Sequence, residues 1–329
     1  MRTQTVEDLS ERDVVAYFSA ALRGAEKGFA GRDGAGAATG DRTPIRIPDK
    51  SGSENVGRSG PVSSHDGGMD DTTLISHFLR DGFVKLEGAV APRVAADCAR
   101  LLWRETGCDP DDPSTWTQPV HWVAGMAQGP FAAAPNSPAL HHAYDLLVGA
   151  GRWEPRYSLG TFPLRFPHEE EPNDAGWHIE GSYLPEGESW YFTNLRSQGR
   201  ALLMLFLFSE VGEADAPTRI RVGSHLDVPK VLEKYGEDGA SGLTLAPDLV
   251  AASDHRPLAL ATGSPGDVFL CHPFLVHAAQ SHHGVRPRFM AQPPLLPAAP
   301  YELDRADGAY SPVEIAIRQG LGWDGGGAG

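Results

Sequence analysis

From about Trp153 to Gln292 the chain breaks into short β-rich runs separated by Pro and Gly, and this texture limits the fold more than any other feature. The runs are 156–166, 177–183, 201–211, 219–222, 258–261, 267–270, 274–278 and 288–292. Many short strands punctuated by turn residues predict a sandwich or barrel. Ahead of them, Leu74, Phe78, Phe83 and Val84 predict a helix, a turn at Asp81-Gly82 and a strand. Residues 91–105 predict a second helix with Val94, Cys98, Leu101 and Leu102 on one face. Ser311-Pro312-Val313-Glu314 carries an N-cap, a proline at N1 and a glutamate at N3. A last helix is therefore expected to about Gly320.

The flanks read differently. Residues 10–27 place Val14, Val15, Phe18, Ala21 and Leu22 at helical spacing, so 1–30 is expected to hold an amphipathic helix. Residues 31–71 are rich in Gly, Ser, Asp and Arg and cannot bury enough surface to offset chain entropy, which predicts a flexible linker. The folded domain is expected over 72–323, followed by a glycine-rich tail at 324–329.

Acidic residues outnumber basic ones by 43 to 28, and no Lys/Arg cluster offers the footprint that a phosphate backbone needs, so nucleic acid is not an expected partner. The longest apolar run, Ala201 to Phe208, is too short to span a bilayer. The N-terminal residues lack the apolar core of a signal peptide, and a soluble, cytoplasmic protein is expected. Cys98, Cys108 and Cys271 lack CxxC spacing, so reduced thiols are expected rather than disulfides or a zinc knuckle.

Among thirteen histidines, three are followed two residues later by a carboxylate: His168-Glu169-Glu170, His178-Ile179-Glu180 and His225-Leu226-Asp227. On a strand, side chains two apart point the same way, so such a pair can chelate one ion. His168 opens the acidic run Glu169 to Asp174, expected to be a solvated loop. His225 follows the turn-like Val222-Gly223-Ser224 and is expected to support the structure or the ligands rather than bind metal. His178 has a distant companion, His277, at the end of the apolar run from Asp267. A buried histidine there needs a polar partner, and two imidazoles with one carboxylate form the open facial site of non-haem Fe(II) oxygenases. His272, across Pro273 from His277, is expected to pack or to support the site from behind.

With these residues in place, the stretch from about Thr72 to Leu321 resembles the phytanoyl-CoA dioxygenase family of Fe(II)/2-oxoglutarate oxygenases. The resemblance is carried by Phe78-Leu79-Arg80-Asp81-Gly82-Phe83-Val84, Trp177-His178-Ile179-Glu180-Gly181-Ser182 and Val222-Gly223-Ser224-His225. It continues through Gly266-Asp267-Val268-Phe269, His277 and Arg286-Pro287-Arg288. It implies a double-stranded β-helix, or jelly roll, with flanking helices. It also implies Fe(II) on His178, Glu180 and His277, and 2-oxoglutarate and O2 as cosubstrates, with Arg288 on the far carboxylate of 2-oxoglutarate. The chain departs from the family's pattern twice: Glu180 stands where most relatives have Asp, and Ala279 where a small polar residue is common. A 2-oxoglutarate contact is thus expected from elsewhere, with Thr161 and Arg165 the candidates on the 156–166 run.

The implied reaction is hydroxylation of an unactivated C–H bond of a small metabolite or natural-product intermediate, with release of succinate and carbon dioxide. Halogenating relatives lack the carboxylate ligand, so Glu180 favours an oxygenative outcome. Two other readings stay open on the residues themselves: a cupin-type metal isomerase, epimerase or hydrolase without 2-oxoglutarate, and a non-catalytic jelly-roll binding protein.

Overall fold

A computed structural model describes residues 69–127 and 129–323. The expected N-terminal helix, all but the end of the linker and the tail lie outside them. The folded part opens on a helix over Asp71–Asp81, whose N-cap Asp70 accepts from the Thr73 amide at 3.0 Å. It stops at Gly82, which has φ of +83° and passes so near His225 that a Cβ there would lie 2.5 Å from its Nδ1. Only glycine satisfies both the left-handed turn and the close approach. The second helix, Pro92–Thr106, buries Ala95, Cys98 and Leu102, and the last, Pro312–Leu321, has the full Ser311/Glu314 capping box.

The centre is an antiparallel sheet in the order Phe83–Leu86, Val268–Cys271, Leu202–Leu207, Pro294–Pro297, Trp153–Glu154, with Met290–Ala291 also pairing to Leu202–Leu207. The strand Leu202–Leu207 is buried throughout because both faces of the sheet are covered. Leu202, Met204 and Phe206 pack into the larger core with Phe78, Cys98, Leu102 and Tyr144 from the helices. Leu203, Leu205 and Leu207 face a smaller core with Ile220, Ala261, Leu275 and Met290. That second layer contains a three-stranded sheet ordered His277–Ala278, Arg219–Arg221, Leu258–Leu260. The expected jelly-roll class therefore holds: mostly β, antiparallel, two-layered and flanked by helices. Its sheets are not closed into a continuous barrel.

Several expected strands are shorter than their apolar runs. The 156–166 run forms strand only over Phe162–Arg165, since Gly160 at φ of +70° turns the chain before it. The 177–183 run forms no ladder at all: it makes single bridges, His178 to His277 and Tyr183 to Phe192, between glycines at 176, 181 and 187. Among the described residues, three helices of six or more residues sit where no helix was expected, at Pro138–Leu147, Val228–Glu233 and Gly242–Ser253. Pro at the start of the first two supplies the local signal, and Ser241 caps the third by accepting from the Thr244 amide. All three cysteines are free thiols, and no described helix is long and apolar enough to cross a membrane.

His225 and His272 are fully buried, with ring centroids 5.1 Å apart, and are packing residues rather than supports of the metal ligands. His225 Nε2 donates to the Leu79 carbonyl (3.1 Å) and His272 Nε2 to the Val313 carbonyl (3.2 Å). Burial pushes the His225 imidazole down to about 4, and it depresses His272 as well. An unfolded chain protonates histidine near pH ~6.5 and so takes up a proton that the folded chain refuses. Stability is thus complete above pH ~6.5 and falls as the pH drops toward 4, by on the order of 3 kcal/mol from His225 alone. Urea midpoints followed across that range should show the fall. A slope left unchanged by His225→Gln would count against this origin.

Candidate metal centre

His178 and His277 face each other across an antiparallel bridge, each amide donating to the other's carbonyl at 3.0 Å. Between His178 and Glu180, Ile179 turns into the core and is 3% exposed. Strand alternation then sends His178 and Glu180 together to the side where His277 waits. Arg219 closes the arrangement from behind. Its Nη2 donates to the Ala175 carbonyl and to the Ala279 carbonyl, both at 2.8 Å, tying together the two segments that carry the histidines. The Trp177 ring lies under the guanidinium carbons of Arg219 and Arg221, 4.8 and 4.5 Å from its centroid.

The imidazole tautomers follow from their partners. His178 Nδ1 meets the Gly176 carbonyl at 2.8 Å, and His277 Nδ1 meets the Leu275 carbonyl at 2.9 Å. A carbonyl only accepts, so each Nδ1 carries the proton and each Nε2 presents a lone pair. Those lone pairs converge on Glu180: its Oε1 is 4.0 Å from His178 Nε2 and 3.6 Å from His277 Nε2. The three ligand atoms lie within 4.8 Å of one another, and the described residues contain no other such group.

The electrostatics suit a cation. Burial, with His277 alongside, holds the His178 imidazole below its ordinary range and therefore neutral. Burial pushes the Glu180 carboxyl up, yet the Arg200 guanidinium beside it outweighs burial and holds it well below the usual range. His277 Nε2 is buried with no hydrogen-bond partner. An acceptor left so costs free energy that a metal ion recovers. The donor set of two imidazoles that turn Nε2 inward and one carboxylate therefore fits a non-haem iron ion. The His178 and Glu180 side chains are 36% and 27% exposed against 3% for His277, so the centre is open on their side.

A second constellation involves Arg288 and Arg165, whose backbones bridge in the same way as the two histidines. Both guanidiniums are buried near one buried carboxylate, Asp174, whose Oδ2 accepts from Arg165 Nη2 at 2.5 Å and whose charge also acts on Arg288. Arg288 donates to the carbonyls of Ala216 (2.6 Å) and Pro163 (3.3 Å), the former presented by a left-handed turn at φ of +52°. Arg165 Nε and Nη1, Arg288 Nε and Asp174 Oδ1 have no partner. Desolvation, with Arg165 nearby, pushes the Arg288 guanidinium well below its ordinary range. Two buried cations with one buried anion leave a positive charge uncompensated.

The expected solvated loop after His168 thus needs correction at its end. Asp174 leaves the acidic run and turns inward, because Arg165 draws it into a site no neighbouring residue announces. Thr161 lies half-buried just ahead of its strand, and no hydrogen bond joins it to the triad or to the arginines. Arg200, which the sequence does not single out, brings Nη2 to 3.5 Å from Glu180 Oε2. Its one local signal is a charge at the mouth of the apolar run 201–208.

A family model for phytanoyl-CoA dioxygenase (PhyH) matches residues 78–290, a span containing the triad, Arg165 and Arg288. The chain belongs to the phytanoyl-CoA dioxygenase family. No curated protein matches its sequence. Among solved structures, it is similar to the epimerase SnoN in complex with Fe3+, alpha ketoglutarate and nogalamycin RO, at 16% identity and a TM-score of 0.46. That likeness covers 68% of this chain and 81% of that one. It is also similar to EctD from S. alaskensis with 2-oxoglutarate and 5-hydroxyectoine, at 19% identity and a TM-score of 0.44, covering 68% and 74%. EvdO2 from Micromonospora carbonacea var. aurantiaca is similar at 14% identity and a TM-score of 0.46, covering 71% and 94%.

Proposed function

We propose that this member of the phytanoyl-CoA dioxygenase family is an Fe(II)/2-oxoglutarate oxygenase that hydroxylates an unactivated C–H bond of a small metabolite or natural-product intermediate. One observation carries the reading. His277 Nε2 is buried without a protein partner and points, with its tautomer fixed, at the same place as His178 Nε2 and Glu180 Oε1. Three protein ligands leave three positions for a bidentate 2-oxo acid and dioxygen. Fe(II), when bound, supplies the dioxygen chemistry that converts 2-oxoglutarate to succinate and carbon dioxide and oxidises the substrate.

The chain's own residues then divide the remaining work. His178 and His277 would hold the ion through Nε2, with the Nδ1 proton of each kept on a backbone carbonyl, Gly176 and Leu275. Glu180, ionised, balances part of the charge. Arg288 and Arg165 would offer guanidinium donors to the far carboxylate of 2-oxoglutarate, which would compensate the positive charge that Asp174 leaves over. The Trp177 segment, clasped by Arg219, keeps the first histidine in register with the second.

The test is anaerobic addition of Fe(II) and 2-oxoglutarate to the full chain. A visible charge-transfer band and, on exposure to air, slow succinate formation are expected. Metal binding with neither band nor succinate would favour the cupin-type isomerase or hydrolase, and absence of metal binding a non-catalytic protein.

A further inference from the structure

The two oxygens of Glu180 are divided between different partners. Oε1 faces the histidine nitrogens, at 3.6 Å from His277 Nε2 and 4.0 Å from His178 Nε2. Oε2 is turned away to Arg200 Nη2 at 3.5 Å. Arg200 is itself fixed. It is only 9% exposed, its Nε donates to the Gly181 carbonyl at 3.4 Å, and its own carbonyl accepts from Ser197 Oγ at 2.8 Å. Ser197, at φ of +40°, starts the tight turn that delivers Arg200. The turn lies so close to the ligand segment that a Cβ on Gly199 would sit 1.8 Å from the Ser182 carbonyl oxygen. The backbone therefore brings Arg200 against Glu180 by construction.

From this division we infer that Arg200 is a positioning residue that holds Glu180 to one-oxygen ligation. The inference rests on the iron reading above and adds a reason for glutamate. A glutamate has one more rotatable bond than an aspartate and can swing both oxygens onto an ion, which would consume a coordination position. The reaction needs all the remaining positions, two for a 2-oxo acid and one for dioxygen. A guanidinium on Oε2 removes the second oxygen from the contest, and Arg200 itself is buried.

Nitric oxide, a probe for the dioxygen position, tests this in the full chain loaded with Fe(II) and 2-oxoglutarate. In wild type the charge-transfer band and the EPR signal of the iron–nitrosyl adduct should both appear. In Arg200→Met the band should persist while nitrosyl affinity falls on the order of 10-fold or more, because the freed Oε2 competes for that position. Arg200→Lys, which keeps a cationic donor, should restore most of the signal. Water-proton relaxation by bound Mn(II), without 2-oxoglutarate, gives a second readout. Coordinated water should drop from about three to about two molecules in Arg200→Met. Equal nitrosyl affinity and equal relaxation in wild type and Arg200→Met, with the band intact, overturn the role of Arg200 and leave the oxygenase reading standing. A wild type without the band defeats that reading instead, and a wild type that binds no metal defeats both.

Discussion

His277→Ala is expected to abolish metal binding while leaving the fold in place. Its imidazole makes one hydrogen bond, Nδ1 to the Leu275 carbonyl, and its Nε2 makes none, so the metal-free protein gives up little on truncation. The loss should be on the order of 1 kcal/mol, since one bond is forfeited and one unsatisfied acceptor is removed. Iron affinity, in contrast, should fall by at least about 100-fold, given that even outer partners of metal ligands are worth 10- to 100-fold. Thermal unfolding separates the two effects. Iron at a hundredfold excess over Kd adds about 2.7 kcal/mol, or a rise on the order of 5–10 °C for a domain of this size. Wild type should show that rise and His277→Ala should not, although their metal-free melting temperatures should agree within a few degrees. An iron-dependent rise of equal size in the variant would remove His277 from the ligand set.

The second large effect concerns the buried arginines, where removing the anion and removing a cation should differ in cost. Asp174→Asn removes the carboxylate that pairs with buried Arg165 and lies near Arg288, and should cost about 3–5 kcal/mol, the usual result of stranding buried charge. Arg288→Met keeps the volume and removes one of two like charges, so the protein without 2-oxoglutarate should be close to wild type in stability. The same variant should lose 2-oxoglutarate binding by on the order of 100-fold, because a bidentate charge-assisted contact to a carboxylate disappears. Urea denaturation and anaerobic 2-oxoglutarate titration of the charge-transfer band measure the two quantities separately. Arg288→Met with wild-type 2-oxoglutarate affinity would assign the buried charge to structure alone.

What could be read from sequence was what depends on neighbours along the chain. The helix starting at Pro312 was legible because Ser311 and Glu314 sit three apart and satisfy each other's amides without help from the rest of the fold. The same-side placement of His178 and Glu180 was legible because an apolar residue between two polar ones has one way to face a core. The strand limits were not. Residues 177–183 have strand-like composition, yet only two bridges form, since the partner segments turn away and a ladder needs both sides. Nor was the helix Gly242–Ser253 legible, whose interior Pro247 argues against it locally and whose buried Leu245 and Leu249 are supported by the larger core.

The chain by itself determined the candidate donor set: two histidines and a carboxylate, one pair at strand spacing, within a run of strands able to bring the third residue to them. Only the tertiary structure decided how that chemistry is held. Asp174 lies at the end of an acidic loop and Arg200 at the start of a buried strand, and neither position carries a local mark of its partner. Burial creates both pairings, since a charge out of water must find its counterpart wherever the fold has placed one, and distance along the sequence does not enter.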